Sequence, residues 1–397
     1  MLLHKILIVL LILSLSLSFY ECSDAPSSIG TDLLSPDAID IIKLNSFTDT
    51  LSQSSRYFQQ VPAIELSNAE QLLLGKKNNI EASSLIRFFT SLADSTKEDI
   101  LSNNITVTAA YIKLIQTYVY GEETAPFDFT AHKINSVWSL DFTADSLASL
   151  SYDPNDVILT KEYSDSINTF FIDNQLALII IQAVADTSNP DDYGLYFKPT
   201  ANTGKVVGFT ALTSSFTNYP ELKVVIEKSG VYTDTLDLIS IIDLSVVSGT
   251  LPAISQENIA VQAGYVVNSI LAFDVSKIPK NVVINNAELT LTIDTTETVV
   301  GSDYVNSLAA SFLADSSDAD SILGTLTLSR SGNTFTGSIT SFVQNWVSNA
   351  DQGYDNQGIL LRTSDQLNGV ELFALKGSNA IDASLRPLLK ITYTLKK

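Results

Sequence analysis

Cysteine and histidine are scarce in this 397-residue chain, which contains one cysteine, Cys22, and two histidines. A lone cysteine cannot form an internal disulfide, so packing must hold the fold together. Beyond the N-terminal segment His132 is the one imidazole, which disfavours Ser-His-Asp or Cys-His catalysis and histidine-rich metal sites. Its alternating surroundings predict an ordinary strand residue. Motifs of the G-x-S-x-G, H-E-x-x-H, C-x-x-C and phosphate-loop types are also missing, so we predict no enzyme and no catalytic residues.

Basic residues are few as well, because 23 Lys and Arg stand against 44 Asp and Glu, a formal net charge of −21. Nucleic acid is therefore not an expected partner, since phosphate binding needs a basic face. The acidic residues fall mainly in turns, where Asp caps backbone amides, and solvated loops are the first interpretation. No cofactor is expected, with structural calcium as the alternative that such oxygen-rich loops allow. A paired-carboxylate enzyme acting on polysaccharide stays as a third functional alternative, although the sequence singles out no pair.

Long apolar runs are confined to the N-terminus, where Lys5 precedes residues 6–19. This arrangement is typical of a signal peptide, which we predict over residues 1–22, so the protein is expected to be exported to the cell surface or beyond. Cys22 follows the apolar run directly. It is either discarded with the signal or, as we favour, acylated as in bacterial lipoproteins, with residues 23–35 as a tether. That lipid, in an outer membrane, would be the chain's contact with a membrane.

Patterns typical of β-strands are abundant in the remaining sequence. Short alternating runs rich in Val, Ile, Thr, Tyr and Phe are separated by clusters of Asn, Asp, Gly and Ser. Clear examples are residues 106–120, 205–212, 283–293 and 388–395. Helical spacing is found in two short stretches, one around Ile180 and one around Trp346. We therefore predict an all-β fold of antiparallel sandwiches, each with a short helix.

Six elements occur twice in the same order, which indicates a tandem duplication. Matching elements lie about 165–185 residues apart. In the second half they are 269–273, 285–291, the helix with Trp346, 358–362, 370–373 and 386–391; in the first half they are 84–88, 108–114, 176–184, 194–198, 206–209 and 219–224. The duplication predicts one sandwich over residues 36–228 and another over 231–397, with residues 228–230 as a hinge. Residues 38–51 and 236–247 are the predicted opening strands of the first and second sandwich.

The second repeat resembles the DNRLRE-type domain of bacterial and archaeal secreted proteins. The matching motifs are an F-D-x-S-x-I-P turn at 273–279, a strand at 287–291, V-x-x-W at 343–346, G-x-L-L-R at 358–362 and RP-x-L-x-I-x-Y at 386–393. The first repeat matches more loosely and has Ala183 in place of the helix tryptophan. The resemblance implies two tandem jelly-roll-like β-sandwiches related to carbohydrate-binding modules. Residues 29–34 also resemble an uncharacterised family of bacterial surface lipoproteins.

Aromatic rings that stack against pyranose C–H groups are the expected ligand contacts of such sandwiches. Trp346 lies on the apolar stripe of its helix, which predicts a core position. A core or an exposed position is open for Trp138, and three tyrosines lie beside turns. The predicted ligand-binding residues are Trp138, Tyr193, Tyr219 and Tyr354. The expected function is a non-catalytic exported surface protein for carbohydrate binding or adhesion, with polysaccharide or another cell-surface component as partner. The alternative is a structural or assembly lipoprotein that binds no glycan.

Overall fold

The computed structural model describes residues 39–49, 51–60, 66–164, 166–186, 188, 192–213, 218–348 and 353–396. In these residues 21 strands and four short α-helices are present, and the strands form one sheet of eleven and one of ten. The all-β prediction is confirmed. Cys22, the predicted signal peptide and the tether lie outside the described residues. None of the described helices is long and apolar enough to cross a membrane.

The ten-stranded sheet, with its helices, is called the first unit. Its helices are α1 (Asp94–Leu101), α2 (Ala144–Leu147) and α3 (Asn174–Ala185). Its strands are β3 (Gln71–Lys77), β4 (Ile80–Phe89), β5 (Thr106–Tyr120), β6 (Phe129–Lys133), β7 (Ile158–Glu162), β8 (Ile167–Ile172), β9 (Leu195–Pro199), β10 (Val206–Thr210), β11 (Glu221–Lys228) and β12 (Tyr232–Gly249). They pair in the order β10-β3-β4-β12-β11-β5-β8-β7, and β9 joins β4 to β6.

The eleven-stranded sheet, with helix α4 (Thr340–Val347), is called the second unit. Its strands are β1 (Ile39–Asn45), β2 (Gln53–Gln59), β13 (Asn258–Gln262), β14 (Val267–Phe273), β15 (Val283–Thr292), β16 (Ser307–Leu313), β17 (Ile322–Ser331), β18 (Thr334–Ser338), β19 (Ile359–Thr363), β20 (Leu372–Lys376) and β21 (Leu388–Lys396). They pair in the order β1-β21-β15-β18-β17-β16-β19-β14-β13-β20, and β2 joins β14.

Each sheet folds over an apolar core of its own, which gives two sandwich-like units. The core of the first unit combines side chains from both ends of its sheet with the buried face of α3. That helix begins where the Asp173 carboxylate accepts hydrogen bonds from the amides of Gln175 (2.8 Å) and Leu176 (3.0 Å). In the second unit α4 packs in the same way, with Trp346 buried in the core as predicted. Alternating strands such as β11 therefore bury one face, whereas β10 and β13 are buried on both faces.

The two units repeat one topology, which supports the duplication inferred from the sequence. The pairing of β5 with β11 and β8 in the first unit matches that of β15 with β21 and β18 in the second. Single contacts match as well. The Ser84 hydroxyl donates to the Leu73 carbonyl (2.9 Å), and the Ser269 hydroxyl donates to the Ala260 carbonyl (2.7 Å), in equivalent strands.

The opening strands lie in the opposite units from those we predicted. Residues 38–51 were assigned to the first sandwich, yet β1 and β2 pair with β21 and β14 of the second. Residues 236–247 were assigned to the second, yet β12 pairs with β11 and β4 of the first. The reason is local: residues 228–230, predicted as a hinge, lie in a hairpin turn in which Gly230 has φ +70° and the Val231 amide donates to the Lys228 carbonyl (2.9 Å).

A buried seam joins the two units at the end of β5. The Tyr118 ring is fully buried there, and its hydroxyl accepts a hydrogen bond from the Val370 amide of the second unit (3.1 Å). Alongside, the Ser302 amide donates to the Val119 carbonyl (2.8 Å). Gly301 permits this approach, because a Cβ there would lie 2.0 Å from the Tyr118 ring. The seam therefore couples the units through packed side chains and backbone hydrogen bonds.

Candidate ligand-binding groove

The four aromatic residues predicted to bind a ligand do not form one surface. Trp138 is buried, and its indole N–H donates to the Tyr193 carbonyl (2.6 Å) inside a small apolar cluster. Trp138 is 8% exposed, so the structure shows the core position that the sequence left open, and little of the ring is accessible to a ligand. Tyr193 packs half-buried against the same cluster. Tyr219 is half-buried just before β11, whereas Tyr354 lies in the second unit with 51% of its surface exposed.

A groove of about 580 Å³ opens at another place in the first unit, between the end of β5, the following loop and the β7–β8 hairpin. An aromatic wall lines one part of it. Tyr163, which is 48% exposed, meets Phe127 edge to face at a centroid distance of 5.8 Å. Phe170 supports Tyr163 from the core side at 5.9 Å, again edge to face. The ring of Tyr163 is thus held in place while nearly half of its surface faces solvent.

Amide and hydroxyl groups provide the rest of the lining. Asn168 is 1% exposed, and its Oδ1 accepts a hydrogen bond from the Ser164 amide (3.1 Å), which fixes the side chain. Its Nδ2 has no hydrogen-bond partner within the described residues. Gln116 lies beside it on β5, and its own backbone amide donates to the Ser166 carbonyl (2.7 Å). A buried amide donor without a partner is costly, and the residue that carries this donor is one of those that line the groove.

Charges around the groove are balanced. Glu123 and Lys205 line it, and the Lys205 ammonium donates to the Glu123 carbonyl (2.6 Å). Next to it Asp128 pairs with Lys161 (2.6 Å). Burial acts to raise the pKa of Asp128, but the Lys161 ammonium and the Thr200 hydroxyl outweigh it and lower that pKa. Burial, with the charge of Asp128, raises the pKa of Tyr163 to about 12, so its phenol stays neutral and can both donate and accept.

No sequence pattern predicts this groove as a whole, although one of its residues has a local signature. Tyr163 stands directly before a polar turn between two strands, which is the criterion that selected Tyr193, Tyr219 and Tyr354. Nothing local marks Phe127 or Asn168, because their placement depends on the packing of β5 against β8. His132 lies in β6 as predicted, with Nδ1 at 3.0 Å from two backbone carbonyls and Nε2 at 2.8 Å from the Thr130 hydroxyl.

Neither clusters of metal-binding side chains in the described residues nor comparisons with known proteins point to another site. Among the described residues, no group of three or more His, Cys, Asp or Glu side chains is placed to hold a metal ion, so calcium binding stays a prediction from the sequence. No family model, curated protein or solved structure matches the chain. The resemblance to DNRLRE-type domains thus rests on the sequence motifs alone.

Proposed function

We propose that this chain is a non-catalytic, exported surface protein that binds carbohydrate in the groove between β5 and the β7–β8 hairpin. The observation that carries the proposal is the pairing of a half-exposed, braced tyrosine ring with a buried amide donor that has no partner in the described residues. A ring of this kind offers apolar surface to sugar C–H groups at little entropic cost. Convergent polar groups beside it suit the reading of hydroxyls.

The lining favours a neutral sugar over a charged one. Glu123 and Lys205 contribute one acidic and one basic group, so neither charge dominates. The strongly acidic chain as a whole, with a net charge of −21, would repel a polyanion at low ionic strength. Export follows from the N-terminal pattern around Lys5 and Cys22, and acylation of Cys22 would hold the protein at the membrane surface.

Affinity electrophoresis through gels that contain neutral or acidic polysaccharides tests this proposal. We expect a neutral polysaccharide to retard the wild-type protein, and Tyr163→Ala to weaken that retardation about tenfold, since loss of a stacked ring costs on the order of 1.4 kcal/mol. Tyr163→Phe should keep most of the binding, because it keeps the ring. Tyr354→Ala is the matched control, as Tyr354 is exposed to a similar extent outside the groove.

Two results would reject the groove. One is that no polysaccharide retards the wild-type protein. The other is that Tyr354→Ala weakens binding as much as Tyr163→Ala does, which would move the site to the second unit, or would show that both substitutions act through stability. Thermal unfolding of each variant separates these causes, because exposed tyrosines contribute little to the free energy of unfolding.

A further inference from the structure

The segment 39–59 completes the second unit from the far end of the chain. Strand β1 is the terminal strand of its sheet, and its residues Ile39 to Asn45 pair with Lys396 to Lys390 of β21. Strand β2 lies off the main order of the sheet and pairs with β14. Removal of both strands would break no strand pairing except their own. One connection, residues 60–70, joins them to β3.

The anchoring contacts of this segment are to the second unit. Leu51 is buried in its core, and the Ser46 hydroxyl accepts a hydrogen bond from the Leu389 amide (3.0 Å). The Ser55 hydroxyl accepts from the Ser378 amide (2.8 Å), and the Gln59 side-chain carbonyl accepts from the Tyr265 hydroxyl (2.5 Å). None of the described side chains of β1 or β2 is fully buried. The segment therefore pairs with the second unit through specific hydrogen bonds, but its strands bury few side chains there.

Strand β12 covers the equivalent site of the first unit and is held differently. The hairpin turn at Gly230 ties its start to β11, and residues 250–257 tie its end to β13. It has eight register partners in β11 and ten in β4, against seven for β1 in β21 and seven for β2 in β14. It also buries Leu238, Leu244 and Val246. Displacement of either covering would uncover two neighbouring strands, but β12 is tied to its own sheet by the β11 hairpin and to β13 at its other end, whereas β1 and β2 are joined to the rest of the described chain through one connection.

We propose that segment 39–59 is exchangeable between copies of this chain, so that the segment of one copy completes the second unit of another. A second copy offers the same residues in the same register, and each contact described above is kept when the donor is another molecule. The contact energies therefore cancel between the two arrangements. Only the connection through 60–70 and the protein concentration decide which is populated. A reciprocal exchange gives a two-fold dimer.

A disulfide between two chains tests the exchange. Ser54 and Ala272 are register partners in β2 and β14, and partners in antiparallel strands lie about 4.5–5.5 Å apart at Cα, within reach of a disulfide. Full-length chains with Cys22→Ser and either Ser54→Cys or Ala272→Cys are mixed, unfolded together, refolded over a wide range of concentration and oxidised. We expect a covalent dimer linked between positions 54 and 272, identified by peptide mass spectrometry, whose yield rises with concentration.

Two controls make the result decisive. A single chain that carries both Ser54→Cys and Ala272→Cys should form the bond internally at low concentration. Arg87→Cys replaces Ala272→Cys as the matched position of β4 in the first unit, and should yield no dimer linked between positions 54 and 87. The proposal is overturned if the double variant forms its internal bond while the mixture forms no bond between chains at any concentration. Failure of the internal bond would overturn it too, since the register would then be wrong.

Discussion

At the scale of single residues, burial separates the aromatic side chains that can meet a ligand from those that hold the fold. Trp138 and Tyr163 both stand near turns in the sequence, yet one is 8% exposed and the other 48%. Local pattern could place both at strand ends but could not tell which ring the core would cover. That outcome depends on residues such as Tyr193, Leu85 and Leu244, which come from three other segments of the chain and belong to the same apolar cluster as Trp138. Long-range packing of this kind cannot be predicted from a short stretch of sequence.

Glu371 is a buried acid in the seam between the units. It is 6% exposed, and the Tyr118 hydroxyl donates a hydrogen bond to its carboxylate. Burial raises the pKa of Glu371, and the charges of Asp365 and Asp303 raise it further. An acid whose pKa is raised on folding holds its proton in the native state at pH values where the unfolded chain has lost it. Stability therefore falls as pH rises from the unfolded pKa toward the native one.

The substitution Glu371→Gln should remove that pH dependence. An unfolded glutamate titrates at about pH 4.3, and every tenfold difference in proton affinity between the native and unfolded chain is worth about 1.4 kcal/mol. We therefore expect the variant to lose less stability than the wild type between about pH 4 and about pH 7. Denaturant unfolding at several pH values measures this difference. Parallel pH profiles for the two proteins would contradict the assignment of Glu371 as a buried acid.

Asp294 provides a control of opposite sign. Burial acts to raise its pKa, but hydrogen bonds from Thr296, Asn258 and Lys376 outweigh this effect and hold the pKa well below its usual range. The stability that it contributes is present above the unfolded pKa and is lost as pH falls. We therefore expect Asp294→Asn to destabilise the protein by about 1–3 kcal/mol near neutral pH and to approach the wild type in acid.

At the scale of elements, equivalent glycines open β9 and β19. Gly194 and Gly358 both have a positive φ, +94° and +91°. A Cβ on Gly194 would lie 2.4 Å from the Ile86 carbonyl oxygen, and one on Gly358 would lie 3.0 Å from the Leu271 carbonyl oxygen. The sequence repeat contained both glycines at the same position. The repeat does not show why glycine is needed there. The reason is that β4 passes close to Gly194 and β14 passes close to Gly358.

Alanine substitutions at these glycines should rank by steric clash. We expect Gly194→Ala to cost about 2–4 kcal/mol and Gly358→Ala about 1–3 kcal/mol, because a positive φ and a crowded carbonyl act together. Gly230→Ala is the control, since φ there is +70° but no atom lies within 4 Å, and it should cost about 1 kcal/mol. Denaturant midpoints measure the three costs. Equal losses at Gly194 and Gly230 would mean that the close passage is absent.

For the opening strands, the sequence predicts the extended conformation but not the unit to which each strand belongs. Extended structure is predicted for 38–51 and 236–247; β1 occupies Ile39–Asn45 of the first range, and β12 covers the whole of the second. Their assignment to units failed because a repeat fixes the order of elements along the chain but not which copy each strand pairs with. The sequence around Gly230 indicates an interruption between two strands. A hairpin turn and a hinge between units both produce such an interruption, so the sequence does not distinguish them. Pairing across more than 300 residues, as between β1 and β21, leaves no local trace.

At the scale of the whole molecule, the described chain forms two sandwich-like units, and its first and last described strands, β1 and β21, pair with each other. The fold class and most strands could be predicted from the sequence, because alternation is a property of neighbouring residues; the repeat is inferred from similar patterns that recur in the same order along the chain. The seam at Tyr118 and the groove at Tyr163 could not, because each is assembled from segments far apart in the chain. The glycan proposal depends on the groove, whereas the exchange proposal depends on the crossing of the opening strands, so each can fail alone.

An internal disulfide between β1 and β21 tests that crossing most directly. Lys43 and Thr392 are register partners, and Val225 of β11 is the matching position in the first unit. In a Cys22→Ser background at low concentration, Lys43→Cys combined with Thr392→Cys should oxidise within one chain, as partner spacing allows. Lys43→Cys combined with Val225→Cys should stay reduced. A bond between positions 43 and 225, with none between 43 and 392, would place β1 in the first unit and contradict the account.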